Sequence, residues 1–240
     1  MPLASDSARR YLRAMPLATY KDLCIDACDA HALARFWAER LGFDAHLDDD
    51  GSARLSVGDQ VMVWVNEVTE PKYVKNRLHL DIRAESLDAA LAAGAVVVDA
   101  RPDWTVLSDP DGQEFCVFES DSPLGDRFYE LVWDVTGEVD AAHRVAQWWA
   151  GVLGGNAVRE ERWSYVDGIE GLPFESIVFQ PVPEDKVTKN RIHIDVSTDD
   201  LGALVAEGAM PMREKGDDGI GWTVMVDPAG NEFCAFTPDD

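Results

Sequence analysis

The sequence predicts an α+β protein built from four βαβββ units, arranged as two tandem domains, and three observations lead there. First, the chain repeats itself. Lys75-Asn76-Arg77-Leu78-His79-Leu80-Asp81-Ile82 returns 114 residues later as Lys189-Asn190-Arg191-Ile192-His193-Ile194-Asp195-Val196. Trp104-Thr105-Val106 and Asp109-Pro110-Asp111-Gly112-Gln113-Glu114-Phe115-Cys116 return 118 residues later, ending in Asn231-Glu232-Phe233-Cys234. Upstream, Ala30, Leu33, Ala34, Trp37, Leu41 and Gly42 correspond to Ala142, Val145, Ala146, Trp149, Leu153 and Gly154. Three blocks in one order mark a tandem duplication with its join near Ser122-Pro123-Leu124-Gly125. Second, apolar residues between Ala30 and Leu41 recur at helical spacing. Third, most other apolar residues alternate with period two, as in half-buried strands.

The elements follow in order. Residues 22–27 alternate and predict a strand. The helix from Ala30 has Asp29 as N-cap and Gly42 as a left-handed C-cap. Strands are then expected at 44–47, 53–57 and 60–66. The pattern restarts at 77–82, with a short helix carrying Leu87, Ala90 and Leu91 and stopped by Gly94. Strands at 95–98, 104–107 and 114–118 close the unit. The second half repeats this from Tyr129 to Phe236, its short helix using Leu201, Leu204 and Val205 before Gly208. Residues 1–19, with Arg9, Arg10 and Arg13, read as an arm, 20–120 as one domain, 121–127 as a linker and 128–238 as the second domain.

Bulk properties exclude several functions. The formal charge is −24, and an excess of carboxylates repels phosphate backbones and anionic lipids. Nucleic acid and membrane partners are therefore not expected, and no run approaches the roughly 20 apolar residues that span a bilayer. No export signal is visible, which points to the cytoplasm and to reduced thiols at Cys24, Cys28, Cys116 and Cys234. Cys24 and Cys28 lack a second Cys/His pair nearby, only His31 following, and read as small buried residues rather than half a zinc site. No phosphate-cradling glycine loop, dinucleotide fingerprint or Ser-His-Asp order is present, so no cofactor is expected.

Paired βαβββ units, Phe36-Trp37 with Leu41-Gly42, Trp148-Trp149 with Leu153-Gly154, and Asp-Pro-x-Gly before each last strand resemble the glyoxalase/bleomycin-resistance/extradiol-dioxygenase superfamily, also called vicinal oxygen chelate proteins. The Lys-Asn-Arg-x-His-x-Asp and Glu-Phe-Cys strings are similar to its uncharacterised glyoxalase-like subgroup. The resemblance covers about residues 18–238. It implies tandem glyoxalase-fold domains, each of two βαβββ units forming a mixed sheet curled around a concave pocket, in a monomer or homodimer.

Metal-using members of that superfamily carry ligands on the first and last strands of each unit. Aligned by strand alternation, Asp22 and Glu130 take the first-strand place, Arg77 and Arg191 the place of a His, and Cys116 and Cys234 the place of a Glu. A guanidinium has no lone pair to give and repels a divalent ion. The usual metal site is therefore expected to be absent. A displaced site using Asp22, His79 and Glu114 is the alternative, because these residues share strand faces with the aligned positions.

If Arg77 and Arg191 face the pocket, so do His79, Asp81, His193 and Asp195. The arginines would then orient an anion and His79 or His193 would move a proton; alternatively Arg, Asp and Glu, including Glu114 and Glu232, form a structural ion network. Lys72, Lys75, Lys186 and Lys189 read as solvated loops that would otherwise steer an anion. Trp64, Trp104 and Trp222 are candidates to stack on a planar ligand, whereas Trp37 and Trp149 belong to the core. Cys116 and Cys234 read as packing residues. The stretch 161–173, with Trp163 and Tyr165 and followed by Phe174, is placed to cover the second domain's pocket. The expected function is binding or sequestration of a planar or anionic small molecule. The alternatives are a metal-dependent lyase, isomerase or dioxygenase, and a metal-free acid–base enzyme.

Overall fold

The computed structural model describes residues 15–121 and 127–238. Arg9, Arg10 and Arg13 of the arm and the join at 122–125 lie outside the described residues. The first unit is β1 (Thr19–Ala27), α1 (Ala30–Leu41), β2 (Asp44–Leu47), β3 (Ala53–Val57) and β4 (Gln60–Glu67). The second is β5 (Leu78–Ala84), α2 (Asp88–Ala92), β6 (Val96–Ala100), β7 (Thr105–Ser108) and β8 (Glu114–Glu119). The third is β9 (Phe128–Thr136), α3 (Val139–Leu153), β10 (Asn156–Arg159), β11 (Ser164–Asp167) and β12 (Ser176–Val182). The fourth is β13 (Ile192–Ser197), α4 (Leu201–Ala206), β14 (Met210–Arg213), a 3-10 turn at Asp217–Gly219, β15 (Thr223–Val226) and β16 (Glu232–Phe236).

Local signals account for the helix ends. Asp29 accepts from the Ala32 backbone N–H at 2.8 Å, and Gly42 ends α1 at φ 74°, a conformation that a Cβ disfavours. Gly154 does the same for α3 at φ 79°.

Two eight-stranded mixed sheets result, each made of two βαβββ units, but the units pair across the duplication. The first sheet runs β14-β15-β16-β13-β1-β4-β3-β2 and the second β10-β11-β12-β9-β5-β8-β7-β6. Unit one thus joins unit four through antiparallel β1 and β13, and unit two joins unit three through antiparallel β5 and β9. The expectation of one sheet per half is corrected accordingly. Strand alternation specifies which face is buried, and pairing within or between halves buries the same faces.

Within the one apolar core, the long helix of each half packs on the last strand of its own half. Trp37 of α1 packs edge-on against Phe115 of β8, and Trp149 of α3 against Phe233 of β16. Each indole N–H donates to the aspartate of an Asp-Pro-x-Gly turn in the same half, Trp37 to Asp109 at 3.2 Å and Trp149 to Asp227 at 3.1 Å. A buried indole needs such an acceptor, which explains why helix tryptophan and turn aspartate repeat together. No helix among the described residues is long and apolar enough to cross a membrane.

Candidate functional site

Each sheet curls around a hollow, and strand register sets its floor. On β13, His193 lies opposite Cys24 of β1, and Asp195 lies opposite Cys234 of β16. On β5, His79 lies opposite Val132 of β9, and Asp81 opposite Cys116 of β8. Side chains two apart share a face, so each floor presents a His-Asp-Cys set, and the first adds Cys24. His193 Nε2 lies 3.5 Å from Asp195 Oδ1 and 3.4 Å from Cys234 Sγ, and Cys24 Sγ donates to Asp195 Oδ2 at 3.5 Å. His79 Nε2 lies 3.4 Å from Asp81 Oδ1.

Burial dominates the electrostatics of both floors, because a low-dielectric setting disfavours charge. It pushes His79 down to about 3, aided by Lys75, and His193 down to about 4. It pushes Asp81 up to about 8. Asp195 is held well above the carboxylate range by burial and then by the neighbouring charge of Asp22. The thiols of Cys24, Cys116 and Cys234 are also pushed up by burial, so none is an activated nucleophile. Near neutral pH, then, the imidazoles are neutral and Asp81 largely holds its proton. Burial also leaves His79 Nδ1, His193 Nδ1, Asp81 Oδ1 and Asp195 Oδ1 without hydrogen-bond partners.

The first hollow encloses about 770 Å³. Trp64, Trp222, Met212, Val224 and Phe236 supply apolar walls, with Trp222 stacked on Phe236 at 5.4 Å. Lys189 stands at its edge and donates to Asp26 at 2.5 Å. The second hollow encloses about 640 Å³ and is lined from β5, β8, β9, β11 and β12 and from the segments ahead of β7 and β11. Trp104 lines it, stacked on Phe118 at 5.9 Å, and so do Trp163 and Tyr165. The stretch ending in Phe174 thus walls a hollow shared with the first half, while Phe174 itself is buried against Phe128 and Tyr20.

Several site expectations are corrected. Arg77 and Arg191 line neither hollow among the described residues. They precede their strands and reach across the duplication to hold the opposite connecting loop. Arg77 donates to the Glu184 carbonyl at 2.9 Å and to Thr136, and Arg191 to the Glu70 carbonyl at 2.6 Å and to Asp111 at 3.0 Å. The seat assigned to the guanidinium groups belongs instead to His79 and His193, so arginine supplies no reason to expect an absent metal and no clamp for an anion. Glu114 also lines neither hollow; it is tied to Lys72 at 2.7 Å and to the Asn76 backbone N–H at 3.1 Å. Glu232 repeats those bonds with Lys186 and Asn190 yet does line the first hollow. Lys72 and Lys186 are thus largely covered partners of half-buried Glu114 and buried Glu232, not solvated loop residues. Asp22 is buried beside Asp195 and bonded to Lys21 rather than open to the cavity. Glu130 lines the second hollow and accepts from Ser176 at 2.7 Å. Cys116 and Cys234 are floor residues, and Cys28 is exposed, not buried.

Sequence reasoning passed over Cys24, Phe118 and Phe236, which the period-two rule would have found beside Asp22, Cys116 and Cys234. It had no signal for Lys21 and Tyr129. Register shifts between Tyr20 and Asp22 and between Asp81 and Ile82 mark bulges, which turn Lys21 into the first hollow and Tyr129 into the second.

A divalent ion is the group this architecture implies, and the donor sets fit one. Ligand atoms of Cys24, His193 and Asp195, and likewise of His79, Asp81 and Cys116, all lie within 4.8 Å of one another. Ligands held about 2.0–2.3 Å from zinc stand at comparable separations.

A family model for the glyoxalase-like domain matches residues 22–118 and 132–236. The chain belongs to the glyoxalase-like family. No curated protein matches the sequence. Among solved structures, glyoxalase I from Zea mays is 13% identical, with 91% of this chain and 92% of that chain covered at a TM-score of 0.61. A dioxygenase-like protein from Bacillus subtilis is 11% identical, with 95% and 87% covered at a TM-score of 0.58. At such identities the likeness is one of fold, and that fold is the vicinal oxygen chelate architecture of paired βαβββ units.

Proposed function

We propose that this glyoxalase-like protein binds a small planar molecule in the first hollow, for sequestration or delivery. The observation that carries this reading is the make-up of that cavity: about 770 Å³ of mostly apolar wall over a few converging polar groups. Concave apolar sites with a few placed polar atoms are the usual form of small-molecule sites. Trp64, next to Cys24 in register, and the Trp222–Phe236 stack offer ring faces. Lys21, Lys189 and Arg213 are the cations at the cavity, paired there with Asp22, Asp26 and Asp218, and a carboxylate on the ligand would share them. Neutral His193 offers one hydrogen bond.

Isothermal titration against a panel of planar aromatic and anionic metabolites tests it. Binding by at least one class, weakened about tenfold in Trp64→Ala and His193→Ala, is expected. A panel that gives no heat, or binding indifferent to both substitutions, contradicts it.

A second reading, a metal-dependent lyase, isomerase or dioxygenase, is favoured by the convergence of Cys24, His193 and Asp195. These three would hold the ion, with Cys234 adjoining, and the ion would act as a Lewis acid on a bound oxygen. Elemental analysis of protein purified without chelator or affinity tag separates the readings. Near-stoichiometric nickel, zinc, iron or manganese supports the enzyme, and its absence supports the binding protein.

A further inference from the structure

The two hollows descend from one duplicated plan but differ in charge. Four carboxylates (Asp26, Asp50, Asp195, Glu232) and three cations (Lys21, Lys189, Arg213) line the first. Six carboxyl groups line the second, against one cation, Arg162. The chain is acidic throughout, yet a uniform excess would not leave the first hollow so nearly balanced. The bulges show the divergence at one place: the same extra residue is a cation, Lys21, in the first hollow and an aromatic, Tyr129, in the second.

Aromatic rings face those carboxyl groups from both sides. Trp104, Phe118 and Tyr129 form one wall and Trp163 and Tyr165 the other. Trp104 and Trp163 are 37% and 38% exposed, so ring surface stands open at the mouth. At the floor Asp81 is 6% exposed and its Oδ1 has no hydrogen-bond partner. Glu130 is its register neighbour. Such an arrangement has a specific complement. The negative face of an aromatic ring attracts a cation, and cages of several rings are a recurrent receptor for substituted ammonium groups. A bare metal ion needs no aromatic wall and fills only a small part of about 640 Å³. Anions are opposed by the charged carboxylates that line the hollow, and a neutral molecule gains from the ring faces only their apolar surface.

We propose that the second hollow binds an organic cation, the amine or quaternary ammonium group of a small molecule, between the Trp104–Phe118–Tyr129 and Trp163–Tyr165 walls and above Asp81 and Glu130. This site is separate from the first hollow and does not depend on how that hollow is used. Arg162, 5.5 Å over the Trp163 ring, is the group a ligand cation would displace, whereas Arg83, 3.8 Å over the Tyr129 ring and paired with Glu175, already covers one face of that ring.

The test is titration of the full chain with benzyltrimethylammonium, its uncharged isostere neopentylbenzene, and benzoate, with chelator present so that no metal ion competes at His79, Asp81 and Cys116. The ammonium probe is expected to bind at least tenfold more tightly than either of the others. Trp163→Ala, at a partly exposed position that the core does not need, and Glu130→Gln, which keeps the bond to Ser176, should each weaken it about tenfold. Trp64→Ala, in the first hollow, should leave it unchanged. Equal binding of the uncharged isostere, no binding of the ammonium probe at millimolar concentration, or loss of binding in Trp64→Ala with none in Trp163→Ala and Glu130→Gln would each overturn the proposal. Because the first hollow is probed by Trp64→Ala and His193→Ala, failure here is distinguishable from failure there.

Discussion

Asp81 gives the sharpest energetic prediction. Its carboxyl is buried on β5 and pushed up to about 8, from an ordinary value near 3.8. A group whose folded value is raised binds its proton more tightly in the folded state, so folding loses stability as pH rises through that window. His79, pushed down to about 3, has the opposite sign: the unfolded chain takes up a proton that the folded chain refuses, so its contribution improves as pH rises toward 6.5. The two oppose each other in mild acid. Between pH 6.5 and 8 unfolded His79 gives up its remaining half-proton, a contribution of about 0.4 kcal/mol common to wild type and an Asp81 variant, while Asp81 continues to cost stability. At about 1.4 kcal/mol per pH unit, that interval amounts to roughly 2 kcal/mol. Asp81→Asn removes the titrating group while keeping its shape and its acceptor for the Cys116 thiol. Urea unfolding of wild type and variant, with chelator present at pH 6.5 and pH 8, reads the difference. The stability gap should shift by roughly 2 kcal/mol in favour of the variant as pH rises, whatever the constant cost of the substitution. Parallel stabilities across the interval would refute the claim that burial keeps this carboxyl protonated.

Two further outcomes follow from the cross-half architecture. A protease site inserted between Asp121 and Arg127 and then cut should leave the halves co-eluting on gel filtration in one folded complex, because both sheets are paired through strands of both halves; two separately folded halves would contradict that pairing. Arg77→Ala and Arg191→Ala each remove charge-assisted bonds to a loop carbonyl of the opposite half. Discounted for partial exposure, each should lower stability by about 1 kcal/mol in denaturant melts while leaving ligand affinity in the hollows unchanged; lost affinity with unchanged stability would restore the arginines to the binding site.

Much of the fold was legible because it depends on local chemistry. Asp29 and Gly42 bracket α1 by capping, and the apolar spacing of Trp37 and Leu41 requires one buried helix face. The duplication was legible because Trp37 with Asp109 and Trp149 with Asp227 are bonded pairs that neither half can lose singly. Strand partners were not legible. Alternation places His193 and Asp195 on one face of β13 but says nothing about whether β1 or β5 lies alongside. The arginines misled for a related reason: they share the parity of His79 and His193, but they stand before the strands begin, where the backbone is free to turn them toward Glu184 and Glu70. The bulges at Lys21 and Tyr129 lie beyond any periodic rule, since a bulge is a break in the period.

Hydrogen exchange with and without the tightest binder from the planar-metabolite panel tests the shared first hollow most directly. Slowed exchange should appear together in β1 and β4 of the first half and in β13 and β16 of the second, with β5 and β8 unaffected. Slowing confined to β1, β4, β5 and β8, all from one half, would contradict a ligand site built across the duplication.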